Sequence, residues 1–144
     1  MRFLAIAVLA GVGFLDSLYL AVAHYQNLSP VCGNLVGCEV VLKSPYATLV
    51  GTTPNAIWGV LYYLILAALG AELYRKKDNT LLLCAKVVAA LGALAHLYFL
   101  YLQAFVIGAW CPYCLLSALL TGTIVFLLFS PRLKSTVQPI EVLE

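Results

Sequence analysis

Four stretches of almost unbroken apolar residues, at about 3–23, 57–74, 80–107 and 111–129, constrain this chain more than anything else in it. Crossing a hydrocarbon core of about 30 Å takes about 20 helical residues at 1.5 Å each, and every stretch is close to or above that length. Of the 144 residues, 64% are hydrophobic and 10% charged, against about 45–50% and about 25% in an ordinary soluble domain. A globule of this size cannot hide such an excess, so lipid must face part of the surface. The sequence therefore predicts an all-α integral membrane protein. Its four-transmembrane-helix bundle occupies residues 1–130, with an extracytoplasmic loop at 24–56 between helices 1 and 2 and a tail at 131–144. A cleaved signal peptide ending at Ala21-Val22-Ala23 is the rival reading of the first stretch. Asp16 and Ser17 speak against it, because they interrupt the apolar segment such a peptide needs.

The basic residues orient the bundle, since cytoplasmic flanks are enriched in Lys and Arg. Arg2, the run Arg75-Lys76-Lys77, and Arg132 with Lys134 all fall on one side if four helices span, and Lys86 can snorkel to that side. The loop between the first two helices carries only Lys43. This places both termini in the cytoplasm of a multi-pass protein of the cell (inner or plasma) membrane. A net charge of +2, scattered over the flanks, gives no surface for nucleic acid.

Topology gives the cysteines their meaning. Cys32 and Cys38 fall in the outside loop, and Cys111 and Cys114 open the last helix on the same side. In Cys111-Pro112-Tyr113-Cys114 the proline suits the first helical position, which makes Cys111 the N-cap and puts both sulfurs on one face. The positive end of the helix dipole favours a thiolate there, so the pair should be redox-active. A surface disulfide can exchange with thiols of a soluble partner while one at the membrane boundary can reach a lipid-soluble acceptor. The loop pair would then carry electrons between them, helped by the turn-forming Gly33, Asn34 and Gly37. Two static disulfides clamping a non-enzymatic scaffold are the bland alternative, but a bridge within one helical turn closes too short a loop to stabilise much. A four-thiolate zinc site suits the chain poorly, because five residues separate Cys32 from Cys38. No metal is expected. Cys84, at the far end of helix 3, reads as a small buried apolar residue. Asp16 and His96 could each relay protons or make interhelical hydrogen bonds. Trp58 and Trp110 suit an interfacial belt or a ring-lined pocket.

The order of these features resembles the vitamin K epoxide reductase family in its compact form without a fused thioredoxin-like domain. The resemblance runs from about Gly11 to Phe129. It is carried by Cys32 and Cys38, by Ser44 in Lys43-Ser44-Pro45-Tyr46-Ala47, by Pro54-Asn55-Ala56-Ile57-Trp58-Gly59, and by Cys111-Pro112-Tyr113-Cys114. It implies a four-helix bundle around a quinone pocket, with a quinone of menaquinone or ubiquinone type as electron acceptor and a separate thioredoxin-like partner outside the cytoplasm. By the same resemblance Cys111 and Cys114 form the redox centre, with Cys114 beside the quinone, and Cys32 and Cys38 are the shuttle pair. Ser44 matches a hydroxyl on which activity depends, and Asn55 an amide that hydrogen-bonds the quinone. Trp58 is expected to help line that pocket.

Two of these residues have readings of their own. Thr53 could N-cap helix 2 with Pro54 at its first position, leaving Asn55 at the helix mouth. Ser44 could end a short loop helix before Pro45. One departure bears on activity: four positions after Cys114, where animal relatives that reduce the epoxide carry tyrosine, this chain has Ala118. That favours quinone reduction coupled to thiol oxidation over reduction of vitamin K epoxide. The other four-helix family of quinone-linked thiol oxidases has its pairs in the reverse order.

Overall fold

A computed structural model describes residues 1–28, 30, 37–50 and 53–130. Cys32, Gly33 and Asn34, and the tail at 131–144 with Arg132 and Lys134, lie outside the described residues. The chain builds α1 (Arg2–Tyr25), a short α2 (Gly37–Leu42), a single 3-10 turn (Pro45–Ala47) and a small antiparallel hairpin of β1 (Thr48–Val50) and β2 (Thr53–Pro54). It continues with α3 (Asn55–Lys76), α4 (Asn79–Tyr101) prolonged by a π-helical segment (Leu102–Ile107), and α5 (Pro112–Phe129).

Four of these helices, Arg2–Tyr25, Asn55–Lys76, Asn79–Ile107 and Pro112–Phe129, are long and apolar enough to cross a membrane. Local chemistry sets their ends. Lys77 closes α3 in the left-handed conformation, and the Asp78 side chain then caps α4 by accepting from the Thr80 N–H at 2.7 Å. The packing is inverted relative to a soluble bundle. Helix α1 turns Leu4, Val8, Val12 and Leu15 outward and buries Ile6, Ala10, Gly13 and Asp16, the arrangement expected where the surrounding solvent is hydrocarbon.

The dry core lies in the half of the bundle that ends in Arg2, Arg75 and Lys76. Ile6 and Ala10 of α1, Tyr63 and Leu66 of α3, Ala85 and Ala89 of α4, and Ile124 of α5 meet there. Lys86 runs toward the same end, its Nζ 5.6 Å from the centre of the Phe129 ring. Close backbone approach in the middle of the bundle uses glycine: a Cβ at Gly92 would overlap the Tyr62 ring, and one at Gly13 the Tyr63 ring.

Three expectations need correction. Pro54 is the N-cap of α3 and Thr53 belongs to β2, because the hairpin holds this stretch extended up to the helix start. Gly37 does not loosen the loop; it opens α2. Cys84 is exposed on the lipid-facing side of α4 and not buried, as a weakly polar thiol can be where the neighbour is lipid and not water.

Candidate active site

At the opposite end of the bundle, Cys111 caps α5 and Pro112 takes the first helical position. Cys114, one turn in, hydrogen-bonds the Cys111 sulfur through its thiol, and the backbone N–H groups of Cys114 and Tyr113 point at the same atom. Together they draw the Cys111 thiol down to about 7, against the opposing effect of burial and of the nearby Asp16 carboxylate. Both sulfurs are free thiols in this structure, Cys111 buried and Cys114 half-buried, whereas Cys38 is disulfide-bonded.

Two contacts fix this cap. Gln103, 2% exposed, accepts the Cys111 backbone N–H at 2.8 Å through its Oε1. It sits in the π-helical segment, a widened turn that occurs frequently at functional sites. The second contact joins the loop to the cap: the Gly37 backbone rests so closely on the Trp110 carbonyl that a Cβ has no room. Cys38, 1% exposed, follows Gly37 directly as Cys111 follows Trp110. The chain thus brings Cys38 and Cys111 to one rim of the bundle.

Cys114 opens on a cavity of about 290 Å³ whose lining includes Asp16, Ser44, Asn55, Trp58 and His96. Asn55 starts α3 and donates from Nδ2 to the Tyr46 carbonyl at 2.7 Å. A carbonyl can only accept, so this contact fixes the amide's orientation. Its Oδ1 is buried without a hydrogen-bond partner among the described residues. Ser44 follows α2 and donates to the Val41 carbonyl at 2.8 Å, so it ends the loop helix while also facing the cavity. His96 Nδ1 meets the Gly92 carbonyl at 2.8 Å and Nε2 meets Ser117 Oγ at 3.1 Å. From Ser117 the chain of hydroxyls continues to Tyr63 at 2.7 Å and on to Thr121 at 3.0 Å. The cavity is near the lower edge of the roughly 300–1,000 Å³ typical of small-molecule pockets. It suits a flat ring with a few polar atoms, and the lining is mostly apolar, so the residues fit a quinone head group.

The structure thus brings together Cys111, Cys114, Cys38, Ser44, Asn55 and Trp58, and Cys32 lies outside the described residues. Gln103 was legible only as a polar interruption of helix 3; the turn that aims it at Cys111 has no sequence signature.

The chain is similar to known proteins. The description "Vitamin K epoxide reductase family" matches residues 4–129. The thiol-disulfide oxidoreductase LTO1 of Arabidopsis thaliana is 34% identical over 117 residues, which cover 76% of this chain and 30% of that relative. The chain therefore spans under a third of the relative's length. With nearly all its membrane helices inside the matched region, the chain belongs to the vitamin K epoxide reductase family.

Proposed function

We propose that the protein is a membrane thiol-disulfide oxidoreductase that oxidises a separate thioredoxin-like partner outside the cytoplasm and passes the electrons to a membrane quinone, supporting disulfide bond formation. The observation that carries this reading is the placement of one redox pair between two environments. Trp110, which precedes Cys111, lies against Gly37, which precedes Cys38, and Cys114 opens on the cavity with Asn55.

The partner's dithiol reduces the Cys32–Cys38 disulfide. A loop thiolate then attacks the Cys111 sulfur of an oxidised centre, forming a mixed disulfide and releasing Cys114 as the leaving thiolate. The second loop thiolate resolves the mixed disulfide and frees Cys111. Position favours Cys111 as the point of attack, because it follows Trp110, on which the backbone next to Cys38 rests. The lowered thiol of Cys111 stabilises the reduced centre, which makes its disulfide a better electron acceptor for the loop pair. Asn55 would hold the quinone head group through its amide, and Trp58 and Ser44 would close the pocket around it. A bound quinone supplies an acceptor of two electrons and two protons. The basic residues at the far end support a topology with the termini in the cytoplasm, this rim outside it and residues 131–144 as a cytoplasmic tail.

The test is Cys114→Ala in native membranes. Quinone-dependent oxidation of added dithiol should vanish; full retained activity contradicts the proposal.

A further inference from the structure

Three buried side-chain atoms have no hydrogen-bond partner among the described residues: Arg2 Nη1, Asp16 Oδ2 and Asn55 Oδ1. The last two residues line the same cavity as Cys114. An unsatisfied buried polar atom is destabilising, and more so when charged. Asp16 carries that cost in the middle of an apolar helix, 9% exposed, and it is the cavity's one carboxyl group among the described residues. Among the other ionisable side chains that line the cavity, His24 lies in the last turn of α1, Tyr62 donates to Thr121 and His96 has both ring nitrogens engaged by Gly92 and Ser117, so packing already accounts for the two central ones.

The chemistry of the site gives the open carboxyl a use. A quinone presents two hydrogen-bond acceptors, and the corresponding hydroquinone presents two donors. A carboxyl group that pairs with both forms donates to the quinone as the acid and accepts from the hydroquinone as the carboxylate, so it changes role by giving up its proton. We propose that Asp16 is a proton-exchanging catalytic residue for quinone reduction, an inference that rests on the function proposed above. When the reduced centre is reoxidised, the S–H bonds of Cys111 and Cys114 break and one S–S bond forms. Two electrons and two protons pass to the acceptor, which leaves as hydroquinone. Asp16 delivers one of those protons from its acid form and takes up one that the dithiol releases, so it ends the cycle as it began.

The experiment compares Asp16→Asn and Asp16→Glu with the wild-type protein in detergent, using a short-tailed ubiquinone. Asparagine keeps the size and a hydrogen-bond donor but holds no transferable proton. Quinone binding, read by quenching of tryptophan fluorescence, should stay within a few-fold in Asp16→Asn. Exchange of the Cys111–Cys114 pair with dithiothreitol, read by thiol labelling, should also stay within a few-fold. Single-turnover reduction of the quinone should fall about 100-fold or more, and Asp16→Glu should recover part of it. An Asp16→Asn protein that reduces quinone at the wild-type rate overturns the inference. So does equal loss of binding, dithiol exchange and reduction, which would mark Asp16 as structural. If wild type exchanges with dithiothreitol but transfers nothing to quinone, the functional reading itself fails, and this inference with it.

Discussion

In the half of the bundle that ends in Arg2, Arg75 and Lys76, helices meet through side chains such as Ile6, Leu66 and Ile124, each 1% exposed or less. The half that carries the cysteines has a cavity of about 290 Å³ instead, with Asp16, Gln103 and Ser117 buried around it. The two halves share the same four helices, and Tyr63 marks the seam, with its ring in the dry core and its hydroxyl on Ser117. Closely packed helix ends hold the frame, so the other ends can keep a void and open polar groups that packing alone would eliminate. Stability and redox chemistry should therefore respond to different substitutions.

A substitution in the dry half should change stability and leave the thiols untouched. Leu66→Ala should cost about 2 kcal/mol, the low end for such truncations, because lipid is as apolar as the core and only packing is lost. Unfolding in mixed micelles measures it, and the reactivity of Cys111 should be unchanged. Altered thiol reactivity in Leu66→Ala would break the division.

In the cavity half, Gln103→Leu strands the Cys111 N–H, at a cost of about 1–3 kcal/mol, and frees the cap to move. The rate of iodoacetamide alkylation at Cys111 should then rise through its midpoint at a higher pH than in wild type. Cys114→Ala removes the strongest influence holding that thiol at about 7, so its midpoint should move up toward the ordinary thiol value of about 8.5. The sign for stability follows. Folding lowers this pKa, so the thiolate contributes fully to the reduced fold above about 8.5, and the contribution is lost as pH falls through about 7. The smallest effect is at the seam. Tyr63→Phe removes one hydroxyl but leaves Ser117 paired with His96, for about 0.5–1.5 kcal/mol.

The two halves also differ in how much of them the sequence discloses. Spanning length and flanking charge locate all four long helices, because hydrocarbon imposes those rules on any chain that crosses it. Cys111 as N-cap with Pro112 behind it is likewise local, and the structure keeps both. What the sequence does not disclose depends on approach between distant segments. The Gly37 seat on Trp110 is seen only when the loop is packed, and in the sequence Gly37 looks like a turn residue. Gln103 reaches Cys111 through a π turn that no periodicity announces. Cys84 was misread because a cysteine in an apolar helix fits lipid and core equally well.

The account turns on whether the loop pair and Cys111 meet at one rim. In a protein carrying both Cys32→Ala and Cys114→Ala, Cys38 and Cys111 each lose the partner of their own pair and no resolving thiol is left at the rim, so mild oxidation with diamide should link them to each other. Peptide mapping without reductant should find the Cys38–Cys111 linkage. Cys38 and Cys111 that both remain free thiols after that treatment, with Cys111 labelled from the opposite face of the membrane, would contradict the account.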